Sequence, residues 1–197
     1  MARSLDFYFD LMSPYSYLAA TQLGGLAART GATVTWKPCF LPAVLKATGN
    51  RGPAEIPAKA FYLFKDLNDW AAHYGLPPVV LPSNFPFLAL TADRACLLLG
   101  EQAPAFALQV MRRIWVDGAD CNGPEVLEPA LRAVGADPAA ILERARSEEA
   151  KAQLRAASDE AVARGAFGVP TFFVNGEEMF VGNDRLQFVE AALKKLP

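Results

Sequence analysis

Four short segments of the chain combine residue types that can do chemistry. Ser13-Pro14-Tyr15-Ser16 joins a favoured helix-capping residue to a proline suited to a first helical turn. A helix N-terminus presents unpaired N–H groups and a positive dipole end, so it stabilises a thiolate, whether the protein's own or a bound one. A serine hydroxyl there donates a hydrogen bond to such a sulfur but forms no disulfide. Capping preference alone also accounts for Ser13 as a plain N-cap. Gly168-Val169-Pro170-Thr171 leads into a β-branched, aromatic run, where a proline cannot donate to a sheet ladder. It marks either a simple strand-starting turn or a cis peptide that leaves the Val169 backbone free to pair with an extended peptide. Gly182-Asn183-Asp184-Arg185 offers N-cap residues and a carboxylate able to hold an ammonium group. Asn50 and Lys59, in and just after a loop, read locally as a solvated polar residue and a surface lysine.

The remaining reactive residues exclude other chemistries. His73 is the single histidine, so a histidine-rich metal site is ruled out and a Ser-His-Asp triad would have to use it. Beside Tyr74 and Gly75 it reads as a surface or cap residue. Cys39, Cys96 and Cys121 are odd in number, widely spaced and without a C-x-x-C. That disfavours a zinc ribbon, a disulfide scaffold and a dithiol pair, and leaves them as buried small apolar residues. Trp36, Trp70 and Trp115 read as core anchors, with one available to flank an apolar cleft. A chain that is 52% hydrophobic and 20% charged is not disordered. A net charge of -2 gives no field for a nucleic-acid partner. Residues 1–11 carry Arg3, Asp6 and Asp10 and lack a signal-peptide apolar run. No stretch approaches the roughly 20 apolar residues of a membrane span. The expectation is a cytoplasmic protein with reduced thiols and no membrane partner.

The elements that must position these residues follow from periodicity. At roughly 150 residues per domain, 197 residues make one domain, or one with a large insertion. Leu5, Phe7 and Phe9 alternate with polar or amphipathic neighbours, which predicts a strand over 4–10. A helix over 17–29 and a strand over 33–36 complete a βαβ unit. From Gly49 to Arg164 no convincing strand occurs. A loop over 47–57 is followed by a helix over 58–74, with Phe61, Phe64, Leu67 and Ala71 at helical spacing. The proline-rich stretch 76–87 reads as extended, and helices are predicted over 90–99, 105–115, 124–134 and 138–164. Strands return over 171–174 and 178–181 around Asn175-Gly176, a strong hairpin signal, and a helix over 184–196 closes the chain.

Removing the helical block leaves βαβ–ββα, the thioredoxin layout. The expected fold is therefore an α/β, thioredoxin-like domain over 1–48 and 165–197, interrupted by an all-helical insertion over 49–164. In that layout Ser13 to Ser16 stands where C-x-x-C sits, with both cysteines replaced by serine. Pro170 is then the cis proline that faces the helix N-terminus.

At these residues the chain resembles a known family. FYFD-x-x-SPYSYL near the start, WVDGAD inside the helical block, GVPTF and GNDRL look like the kappa-class glutathione transferases. They look still more like the bacterial 2-hydroxychromene-2-carboxylate isomerases of the DsbA-like thioredoxin branch. The resemblance implies a glutathione site. By it, Ser13 would hydrogen-bond the glutathione sulfur and favour the thiolate, and the Val169 backbone beside cis Pro170 would pair with the cysteinyl unit. Asn183 and Asp184 would hold the γ-glutamyl end, and Asn50 and Lys59 the rest of the tripeptide. The family often has serine where Asn183 stands; Asn also donates and accepts. The resemblance further implies a homodimer. It implies an isomerase of aromatic catabolism, interconverting 2-hydroxychromene-2-carboxylate and trans-o-hydroxybenzylidenepyruvate by reversible addition of glutathione. The alternatives are a kappa-class-like transferase conjugating small electrophiles and a non-catalytic thioredoxin-like module that binds peptides.

Overall fold

The alternating N-terminal strand forms the inside of the sheet. In the computed structural model, which describes residues 3–195, β1 (Ser4–Phe9) pairs in parallel with β2 (Thr33–Pro38). On its other side it pairs antiparallel with β3 (Thr171–Val174), which pairs antiparallel with β4 (Glu178–Val181). The strand order is β2-β1-β3-β4, the thioredoxin-like sheet expected from the element order. Period-two alternation puts Phe7 and Phe9 on one face, where they stack on each other, and Phe7 stacks on Phe172. Trp36 meets both rings edge-on. The parallel pair requires a crossover, supplied by α1 (Pro14–Thr30), which ends on Gly31 in the left-handed region. Asn175 and Gly176 both take positive φ, and Asn175 Oδ1 accepts from the Ser4 N–H at 2.9 Å, tying the hairpin to β1.

Between β2 and β3 come α2 (Leu41–Thr48), which precedes the helical block, and then α3 (Pro57–His73), α4 (Leu90–Leu99), α5 (Ala103–Trp115), α6 (Pro124–Ala133), α7 (Pro138–Ala145) and α8 (Glu148–Ala163). Three features differ from the sequence expectation. First, α2 was not expected, although Pro42 in its first turn and Gly49 at its left-handed C-cap frame it. Second, the single helix expected over 138–164 is broken. The Ser147 hydroxyl accepts from the Ala150 N–H at 3.2 Å and starts α8 as a new helix. Third, α3 buries Leu63, Leu67 and Ala71, while Phe61 and Phe64 face solvent, Phe61 at 91% exposure. Both apolar sets fit a helical period, and packing against α1 selects the first.

The closing helix α9 (Leu186–Lys195) starts after a 3-10 turn at Asn183–Arg185 rather than at Asp184. Leu196, its expected end, lies outside the described residues. One core runs from the Phe7 and Phe9 face of the sheet through α1 to α4, α5 and α6. Trp115 is fully buried there and its indole N–H donates to the Leu11 carbonyl at 3.1 Å. The three cysteines are buried and free. Among the described residues, no helix is long and apolar enough to cross a membrane, and no cluster of ligating side chains is arranged for a metal ion.

Candidate active site

The turn from β1 into α1 delivers Ser13. Its backbone is extended (φ -95°, ψ 113°), the N-cap conformation, and its hydroxyl oxygen accepts from the Ser16 N–H at 3.1 Å. The hydroxyl hydrogen has no acceptor among the described residues. Ser13 is therefore an N-cap that keeps a donor in reserve. The Ser16 hydroxyl, one turn inside the helix, is buried and has no partner among the described residues.

The segment before β3 forms the other wall. The Val169–Pro170 peptide is cis. The Pro170 carbonyl accepts from the Gly182 N–H at 2.9 Å, which continues the β3–β4 ladder by one step. The Val169 N–H and C=O have no hydrogen-bond partner among the described residues. Asn50 donates to the Phe167 carbonyl at 2.8 Å, and the Thr171 hydroxyl to the Gly168 carbonyl at 2.7 Å, so this segment is held from both sides. Gly182 takes φ +105°, and a Cβ there would fall 2.4 Å from Asp184 Oδ1. Only glycine lets the chain turn there with the Asp184 carboxylate folded against it.

Between these walls lies a cleft of about 410 Å³. Of the residues singled out in the sequence, Val169, Pro170, Asn183 and Asp184 line it together. Ser13, Asn50 and Lys59 are not among its walls. Ser13 is buried two residues before Tyr15, which does line it. Asn50 reaches the Val169 segment through Phe167. Lys59 is exposed in the first turn of α3, seven residues before the cleft residue Asp66. Seven residues make two helical turns, so Lys59 shares the Asp66 face roughly 10 Å further along.

Sequence reasoning gave no role to two walls of the cleft, Tyr15 and Asp66, and had the third, Trp70, only as one of three tryptophans of which one could flank a cleft. Tyr15, Asp66 and Trp70 face it, Trp70 being the tryptophan that flanks a cleft while Trp115 anchors the core. The Tyr15 hydroxyl donates to Asp66 Oδ2 at 2.6 Å. Burial and that carboxylate push the phenol well above its ordinary range, so it stays a donor. The available signal was the 59–62–66–70–73 stripe of Lys, Tyr, Asp, Trp and His along α3. A neighbouring hollow of about 340 Å³ shares Trp70, Asn183 and Asp184, and His73 lines its outer side, exposed against the Trp70 and Tyr74 rings. Asn183 sits at the junction: its carbonyl accepts from the Tyr74 hydroxyl at 3.0 Å, while its side-chain Nδ2 is buried without a partner among the described residues. The cleft walls carry two carboxylates, Asp66 and Asp184, and no lysine or arginine.

The arrangement suits an extended peptide carrying an ammonium group and a sulfur. A free backbone pair, a half-exposed Asp184 carboxylate and the positive end of α1 open on one cleft. A family model described as a DSBA-like thioredoxin domain matches residues 4–194. The 2-hydroxychromene-2-carboxylate isomerase of Sphingobium xenophagum is 38% identical over 98% of this chain and 99% of its own. The chain belongs to the 2-hydroxychromene-2-carboxylate isomerase/kappa-class glutathione transferase family. Glutathione S-transferase kappa 1 of Caenorhabditis elegans, on the transferase side of that family, is 30% identical over 97% of this chain and 91% of its own. A solved 2-hydroxychromene-2-carboxylate isomerase superposes with a TM-score of 0.89 at 33% identity, over 98% of this chain and 95% of that one. The family's DsbA-like layout thus accounts for the whole described fold, including the helices between β2 and β3.

Proposed function

We propose that this chain is a glutathione-dependent isomerase interconverting 2-hydroxychromene-2-carboxylate and trans-o-hydroxybenzylidenepyruvate. The observation that carries the reading is the Val169 backbone, unpaired beside cis Pro170 and opening on the same cleft as the first turn of α1. A cysteinyl unit needs such an edge to be held in extended form. The residues fit the rest of glutathione as well. The Asp184 carboxylate suits its ammonium group, and the orphaned Asn183 amide suits a carboxylate oxygen beside it. Lys59, exposed on the cleft face of α3, suits the glycyl carboxylate. Asn50 supports the Val169 segment through Phe167.

Bound glutathione would supply a nucleophilic sulfur that adds to the substrate's conjugated carbon and later leaves. The chain's part is to hold that sulfur ionised. Ser13 does this with its unspent hydroxyl donor, and the N-terminus of α1 adds the positive dipole end. A free thiol has a pKa of about 8.5, and each unit by which the site lowers it is worth about 1.4 kcal/mol. Tyr15, locked to Asp66, forms a fixed polar wall, and the Trp70 ring offers an aromatic substrate an apolar surface.

The isomerase reading is preferred to transfer because the Sphingobium xenophagum isomerase is 38% identical and the kappa transferase 30%. Turnover of 2-hydroxychromene-2-carboxylate, with and without added glutathione, tests it. Isomerisation that requires glutathione and leaves its concentration unchanged is the expected result. Consumption of glutathione with a small electrophile, and no isomerisation, would move the chain to the transferase reading. Peptide binding with neither activity would leave a binding module.

A further inference from the structure

The turn that carries Ser13 rests on two carboxyl groups for which the proposed reaction has no use. Asp10 follows β1 and Asp93 lies on α4; both are buried, at 1% and 0% exposure. Asp93 Oδ1 accepts from the Leu11 N–H at 3.2 Å and Asp10 Oδ1 from the Met12 N–H at 2.8 Å. The Ser13 N–H donates to the Asp10 carbonyl at 3.0 Å. The N–H groups of Leu11, Met12 and Ser13 are thus all taken by this pair of residues. Asp10 Oδ2 also accepts from the Leu41 N–H at 2.8 Å, which joins the turn to the start of α2. The other Asp93 oxygen is buried and receives no N–H or O–H from the described residues.

Two carboxylates buried side by side cannot both ionise at ordinary pH. Burial, then the charge of Asp10, pushes Asp93 well above the usual carboxylate range, so it holds the proton and donates it to Asp10. Burial raises Asp10 to about 6, against the N–H groups of Leu41 and Met12 that favour its charge. The other titratable groups around the pair are Arg94, whose charge eases the ionisation of Asp93, and the thiols of Cys39, Cys96 and Cys121. Burial pushes all three thiols up, so they stay neutral beside it.

We propose that Asp10 and Asp93 are positioning residues: sharing one proton, they fix the turn over 10–13 so that the Ser13 hydroxyl is aimed at the glutathione sulfur. The aim rests on the function proposed above; the shared proton and the fixed turn do not. Loss of the proton puts two like charges behind the turn and loosens it. An amide at position 93 reproduces the protonated carboxyl, accepting from Leu11 and donating to Asp10. Asp93→Asn therefore rescues what Asp93→Ala removes.

The test compares wild type, Asp93→Asn and Asp93→Ala. Thiolate absorbance of bound glutathione near 240 nm, read against pH, is expected to titrate alike in wild type and Asp93→Asn. In Asp93→Ala it shifts up by about one pH unit, and kcat falls at least tenfold with KM little changed. Wild-type titration and kcat in Asp93→Ala overturn the proposal. Two readouts need no glutathione. Amide exchange at Leu11, Met12 and Ser13 is expected to be slow in wild type and Asp93→Asn and at least tenfold faster in Asp93→Ala; equal protection in all three overturns the proposal. The melting temperature of Asp93→Asn is expected to gain on wild type as pH rises, because a carboxyl raised in the folded state loses its stabilising proton through that range. A pH-independent difference overturns the shared proton, and decides the matter should Asp93→Ala fail to fold. If wild type binds no glutathione, the functional reading falls, while exchange and melting still judge the pair.

Discussion

β1 and the turn beyond it handle polar groups in opposite ways. Along the strand, on the face away from Phe7 and Phe9, polar groups are spent on one another. The Tyr8 hydroxyl donates to Glu160 at 2.8 Å and accepts from Arg164 at 2.9 Å. Arg164 also donates to Asp6 at 2.7 Å and lies over the Phe173 ring, and Lys37 donates to Glu160 at 2.8 Å. Past the end of β1, around the cleft, groups are held back. The Ser13 hydrogen, the Ser16 hydroxyl, the Asn183 amide and the Val169 backbone pair have no partner among the described residues. Buried polar groups in folded chains are nearly always satisfied, so such a cluster of exceptions marks a place shaped for something else to bind. The paired network joins β1, β2 and α8; the unpaired cluster is built to be completed.

This contrast predicts that substitutions in the two regions separate stability from function. The largest effect is expected for Ser13→Ala. Loss of a hydrogen bond to a charged sulfur, worth about 1.5–3 kcal/mol, should raise the bound thiol's pKa by one to two units and cut turnover about 10- to 100-fold. Loss of the cap should cost only about 1 kcal/mol of stability, read by urea denaturation. Unchanged turnover would leave Ser13 as a cap alone. Next in size, Arg164→Met should cost about 1–2 kcal/mol of stability, since Asp6 loses a partly buried partner, while glutathione affinity stays at the wild-type value. A drop in affinity would mean that the two regions are coupled.

Asp184→Ala comes third. It should weaken glutathione binding about tenfold by calorimetry, roughly 1.4 kcal/mol, with kcat little changed. Equal affinity would take Asp184 out of the site. The smallest functional effect is expected from replacing Cys39, Cys96 and Cys121 together by alanine. Burial holds all three thiols above their ordinary range, Cys121 at about 12, so none is a ready thiolate. Turnover within twofold of wild type in the folded variant is the expected outcome, and its loss would revive a disulfide mechanism.

The fold was legible where local chemistry and packing ask for the same thing. The alternation of Leu5, Phe7 and Phe9, the Ser13-Pro14 start and the Asn175-Gly176 turn each name one structure. The break at Ser147 was obscured because alanine- and glutamate-rich sequence on both sides favours continuous helix, and one cap decides it. The buried face of α3 was obscured because two apolar sets fit the same period. Among the cleft walls, Val169, Pro170, Asn183 and Asp184 stand at strand and helix starts, which sequence marks well. Asp66 and the Asp10–Asp93 pair carry no such mark, and nothing in the spacing told Trp70 from the other two tryptophans. Asp66 and Asp93 meet their partners, Tyr15 and Asp10, across 51 and 83 residues, through tertiary packing that no spacing rule reports.

The central claim is that the unspent groups around the start of α1 hold glutathione as a thiolate. The most direct measurement is an ultraviolet difference titration of glutathione into wild type and Ser13→Ala across pH 5–9. The account predicts saturable binding with a band near 240 nm well below pH 8 in wild type, displaced to higher pH in Ser13→Ala. No band below pH 8 in wild type, or the same titration in both proteins, would contradict it.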